Sequence, residues 1–105
     1  HTRVYNAIHE GLANLGFKTL LPREMESGLV VSVLYPDDPH WDFMKVHDYC
    51  FEHGFTIYPG KIASYDTFRL CALGAIDEGD IIDFFVVFRE ALDAAGVTVP
   101  VRYDH

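Results

Sequence analysis

Thr67-Phe68-Arg69-Leu70-Cys71-Ala72-Leu73, flanked by Asp66 and Gly74, is the most informative stretch of the chain. Phe68, Leu70 and Ala72 alternate with Thr67, Arg69, Cys71 and Leu73, the two-residue period of a strand with distinct faces. Arg69 is the only charge between Thr67 and Leu73. If Phe68 and Leu70 turn toward a hydrophobic interior, Arg69 points away from it. A planar guanidinium so placed can grip a carboxylate or phosphonate through two parallel hydrogen bonds. On periodicity alone, an arginine on an exposed sheet face, or one paired with Asp66, accounts for the same pattern.

On either side of this strand the pattern changes period. Upstream, Phe55 to Tyr58 reads as a short strand stopped by Pro59-Gly60, and residues Lys61 to Asp66 as a loop. Downstream, Asp77 and Asp80 both suit a helix start, where carboxylates meet free backbone N–H groups. The helix expected over Asp80 to Ala95 ends at Gly96. Its Ile81-Ile82-Asp83-Phe84-Phe85-Val86-Val87-Phe88 run has strand-like composition, but its length and its continuation into Arg89-Glu90-Ala91-Leu92 favour helix.

Toward the N-terminus, Val4, Ile8, Leu12 and Leu15 share one helical stripe, so Thr2 to Leu15 reads as helix ended by Gly16. Phe17 to Pro22 is an extended link. Leu29 to Tyr35 is a buried strand rich in β-branched residues. Pro36-Asp37-Asp38-Pro39 is a turn, and Trp41 to His53 a helix with Asp38 or His40 near its start. The order α-β-α-β-β-α predicts an α+β, two-layer domain over residues 1–105. Its small, mainly antiparallel three-stranded sheet is covered by helices on one face.

Composition narrows the function classes. Of 105 residues, 50% are hydrophobic, enough for a core, and the formal net charge is −8, from 16 acidic and 8 basic residues. The basic residues are scattered, which argues against nucleic acid and against an anionic membrane, since both need clustered cations. Any anion site must be local, built from one or two cations. Two cysteines, Cys50 and Cys71, are too few for a secreted disulfide scaffold and suit a reducing, cytoplasmic setting. The start at His1, already inside a helical pattern, reads as a piece of a longer protein.

Gly54-Phe55-Thr56-Ile57-Tyr58-Pro59-Gly60-Lys61, followed by Asp66-Thr67-Phe68-Arg69, resembles the C-terminal small domain of class V, fold type I aminotransferases. The resemblance is to the 2-aminoethylphosphonate–pyruvate branch, and it extends over about His1 to Ala95. It implies a parent enzyme that uses pyridoxal phosphate as an electron sink to move an amino group between an amine and a keto acid. The cofactor would sit on a lysine of a large preceding domain, and none is expected in this chain alone. Arg69 matches the family's substrate-carboxylate arginine, a small-molecule amino or keto acid being its ligand. The small domain would cover the active site, a homodimer is implied, and the isolated chain would be inactive. The chain departs from the pattern where the family tends to have Arg-Ile-Gly-Asn-Ile-Gly. Here Cys71 replaces the glycine and Ala72 the asparagine, and Ala75 follows Gly74 where the family has Glu.

Other candidates have ordinary explanations. Lys61 could form a Schiff base, but the family match places it in the small domain, so a solvated lysine is the better account. His40 and His47 are seven apart, wider than helical metal ligands usually are. Cys50 and Cys71 read as free thiols, Trp41, Phe84, Phe85 and Phe88 as core, and Asp77, Glu78 and Asp80 as helix-start acids. Two alternatives stay open: another class V aminotransferase of the alanine–glyoxylate type, and a stand-alone α+β ligand-binding or dimerisation module.

Overall fold

In the computed structural model, residues 2–20, 23–25 and 28–104 are described. The elements run α1 (Thr2–Asn14), β1 (Arg23–Met25), β2 (Gly28–Leu34), α2 (Phe43–Glu52), β3 (Tyr58–Ile62), β4 (Tyr65–Leu73) and α3 (Glu78–Ala95). The expected α+β architecture is present: β2, β4 and β3 form an antiparallel sheet in that spatial order. The three-residue β1 adds an edge beside β2.

One face of the sheet carries the core. Leu29, Val31 and Val33 of β2 and Phe68, Leu70 and Ala72 of β4 are buried against Ile8 and Leu12 of α1, Val46 and Cys50 of α2, and Ile81, Phe84, Phe88 and Leu92 of α3. Rings concentrate around Phe68, with Trp41 at 5.4 Å and Phe17 and Phe88 at 6.0 Å between centroids. Such edge and offset arrangements add to area burial. The strand-like run in α3 is helical because Ile81, Phe84, Phe88, Ala91 and Leu92 recur on one buried side.

The helix ends follow local chemistry. Asp77 is the N-cap of α3 and forms a reciprocal capping box with Asp80, so the helix starts at Glu78, two residues before the sequence reading. Gly96, at φ 83°, closes it in the left-handed conformation. For α2 the cap is Asp42, which accepts from the backbone N–H of Lys45.

Asp38 does something else. It accepts from the N–H groups of His40 at 2.8 Å and Thr98 at 3.0 Å, so it ties the C-terminal tail to the Pro36–Pro39 turn. Those two N–H groups, His40 first, hold its carboxyl below the usual carboxylate range. The tail is fastened further by Val101 N–H to Leu15 carbonyl at 2.8 Å and by the Tyr103 hydroxyl to Leu34 carbonyl at 2.7 Å. The link after α1 runs along β2, with Leu20 N–H donating to Ser32 carbonyl. Its expected end at Leu21 and Pro22 lies outside the described residues.

The largest departure from the sequence reading is the second hairpin. The strand expected over Phe55 to Tyr58 lies instead at Tyr58–Ile62, so Pro59 and Gly60 do not stop a strand; they lie inside β3, opposite Phe68 and Thr67. An edge strand tolerates proline because one side of its backbone needs no ladder donor. The expected loop over Lys61 to Asp66 is a two-residue turn, Ala63-Ser64, with Ile62 opposite Tyr65. Ala63 takes a left-handed φ of 54°, which is uncommon for alanine.

Candidate functional site at Arg69

The β2–β4–β3 register places Arg69 in the middle of the sheet, opposite Ser32 of β2 and Tyr58 of β3. Phe68 and Leu70 are 0% and 6% exposed, whereas Arg69 is exposed. The alternation therefore does what the sequence reading expects, and Arg69 faces away from the helices. Among the described residues it forms no ion pair. Asp66 sits opposite Lys61 in the register, one residue out of phase with Arg69's face, so the local acid is no partner for it.

The guanidinium lies along the β3 backbone. A Cβ built on Gly60 would stand 2.9 Å from Arg69 Nε and 3.1 Å from its Cγ, closer than side chains normally approach. The same point is 3.3 Å from Thr67 Oγ1. Thr67 is fully buried, and its hydroxyl has no hydrogen-bond partner among the described residues. Cys71, on the same face, is half-buried; burial raises its thiol pKa and the Arg69 charge opposes that rise. Cys71 thus sits beside the arginine, while Ala72 turns into the core at 7% exposure.

A half-open, mainly apolar cleft of about 280 Å³ lies nearby, between the C-terminal half of β4 and the start of α3. Tyr58, Leu70, Cys71, Ile81 and Phe84 help line it, and Arg69 is not one of its walls. The arginine thus sits on a sheet surface beside a cleft rather than inside one.

The remaining candidates resolve to structural roles. Lys61 is an exposed residue of β3 rather than of a loop. Lys18 and Lys45 are exposed too, and no lysine lines the cleft beside β4. A pyridoxal phosphate needs a lysine facing an enclosed cradle, so the described residues do not fit that cofactor. No group of three or more His, Cys, Asp or Glu residues is placed to hold a metal ion among the described residues. His40 lies 3.4 Å from Asp38, His47 lies 3.0 Å from Asp48, and the His53 Nδ1–H donates to the Tyr49 carbonyl. Cys50 is buried under the helices and Cys71 lies on the other side of the sheet, both as free thiols. No described helix is long and apolar enough to cross a membrane.

Sequence reasoning missed Gly60 and Thr67. Their juxtaposition comes from the two-residue turn at Ala63-Ser64, which no local signal in the sequence marks and which puts Gly60 opposite Thr67 and Tyr58 opposite Arg69.

Comparison with known proteins supplies the family. No family profile matches the chain. A 2-aminoethylphosphonate–pyruvate transaminase of Phocaeicola vulgatus is 43% identical over 76 residues, covering 72% of this chain and 21% of that protein. One from Burkholderia lata is 34% identical over 90 residues, covering 86% and 24%. One from Cupriavidus taiwanensis is 30% identical over 102 residues, covering 97% and 27%. The chain belongs to the 2-aminoethylphosphonate–pyruvate transaminase family and spans about a quarter of the length of the curated relatives it matches.

Proposed function

We propose that this chain is the C-terminal small domain of a pyridoxal-phosphate-dependent transaminase acting on 2-aminoethylphosphonate and pyruvate. In this reading Arg69 holds the substrate carboxylate. The observation that carries it is an exposed arginine without an ion-pair partner among the described residues, centred on the sheet face the helices leave open. A guanidinium fixed on a rigid sheet orients a carboxylate through two parallel hydrogen bonds, which sets the geometry of the reacting carbon. The relatives' greater length supports a second, larger domain, of about 250 residues on usual domain sizes. That domain would hold the cofactor lysine, and the small domain would cover the active site of a homodimer.

The test is a transaminase assay on the full-length protein that carries this segment, wild type beside Arg69→Ala. Loss of the anchor should lower kcat/KM for pyruvate by about 2–5 kcal/mol in transition-state terms. An unchanged value removes Arg69 from the site. Replacing 2-aminoethylphosphonate by alanine, with glyoxylate as acceptor, separates the phosphonate branch from the alanine–glyoxylate branch. The 105-residue chain alone should show no turnover, and measurable activity from it would overturn the division of labour between the two domains.

A further inference from the structure

Thr67 poses a physical problem that the core does not explain. It lies on the open face of β4, yet it is 0% exposed, and its hydroxyl finds no partner among the described residues. Buried hydroxyls are nearly always hydrogen-bonded, because leaving one unmade forfeits the hydration it had in water. A valine would fill the same volume without that penalty.

The surroundings suggest what the hydroxyl is for. Thr67 and Arg69 are two residues apart on one strand and so share a face. Arg69 does not extend straight out; it leans diagonally across Gly60, and Nε and Thr67 Oγ1 both lie within 3.3 Å of the point where a Gly60 Cβ would stand. Gly60 has no positive φ, so its value is the missing methyl and not backbone freedom. The missing methyl makes room for the Arg69 side chain to lie over the β3 backbone, which sets one charged donor beside one neutral donor.

Resting on the assignment of Arg69 as the carboxylate anchor, we propose that Thr67 is a second contact to the same substrate anion. Its hydroxyl donates to one carboxylate oxygen while the Arg69 guanidinium holds the anion. Gly60 is the positioning residue that lets the two donors converge. The Arg69 side chain is exposed and lies beside the hydroxyl over Gly60, so an anion gripped by the guanidinium is brought next to it. A binding hydroxyl is thereby kept at some expense of fold stability, the kind of conflict expected where function overrides packing.

The experiment is a set of variants in the full-length protein, assayed for pyruvate KM and kcat and for thermal stability. Thr67→Val should raise the pyruvate KM about tenfold while leaving Tm unchanged or higher, because a methyl replaces a buried unpaired hydroxyl. Thr67→Ser, which keeps the hydroxyl, should stay within about threefold of wild type. Gly60→Ala should raise KM as Thr67→Val does, on an edge strand that otherwise accepts alanine. A Thr67→Val protein with unchanged KM, beside an Arg69→Ala protein whose KM has risen, overturns this assignment and spares the anchor. Unchanged KM in both removes the anchor itself. If Thr67→Val does not fold, Thr67→Ala decides, and a wild-type KM there also overturns the proposal.

Discussion

On the helix side of β4, Phe68 sits among the rings of Trp41, Phe17 and Phe88, fully withdrawn from water. On the other side, one residue along, Arg69 is exposed and lies over a glycine beside an unpaired hydroxyl. The same backbone carries both faces: one is filled by rings and aliphatic side chains, the other carries an exposed guanidinium and the Thr67 hydroxyl. Packing decides the first face. The second makes sense as a surface built for something other than its own core.

The comparison breaks most sharply at Phe68. Phe68→Ala should lower unfolding free energy by about 3–5 kcal/mol, read from denaturant titration. Arg69→Ala should change it by less than about 0.5 kcal/mol. Equal losses would mean that the two faces do not divide structure from function.

The cysteines sharpen the same contrast. Burial pushes the Cys50 thiol up to about 11, whereas the rise at Cys71 is opposed by Arg69. A thiol reagent at pH 8 should modify Cys71 at least ~100-fold faster than Cys50, since only the thiolate reacts. Arg69→Ala should then slow Cys71. Equal rates at the two thiols would show that the helix layer opens readily.

The tail clamp tests how firmly the helix side is closed. The Asp38 carboxyl is held low by the N–H groups of His40 and Thr98, so its contribution is present above its unfolded pKa and lost as pH falls through the folded one. Asp38→Ala should cost about 1–2 kcal/mol at neutral pH, and the gap to wild type should shrink on acidification below the ordinary carboxylate range. A gap independent of pH would assign the loss to packing instead. Smallest is Ala63→Gly at the hairpin that presents the open face. Releasing a left-handed alanine should stabilise the chain by about 0.5–1 kcal/mol, and a loss in chemical denaturation would show that the turn tolerates alanine without strain.

Much of this was legible in the residues. The two-residue alternation from Thr67 to Leu73 set the faces of β4 and the outward direction of Arg69, because side-chain direction in a strand follows from backbone geometry alone. Helical spacing and end chemistry located α1, α2 and α3 to within a few residues, although Asp38, expected near a helix start, proved to clamp the tail. The resemblance around Tyr58 to Lys61 and Phe68-Arg69 pointed to the family that the relatives then showed. The hairpin register was settled only in three dimensions. It depends on Ala63 entering a conformation its residue type disfavours, and on an edge position that makes Pro59 harmless. From that register come the Gly60 seat and the buried Thr67 hydroxyl, because contacts across strands depend on pairing that no local pattern encodes.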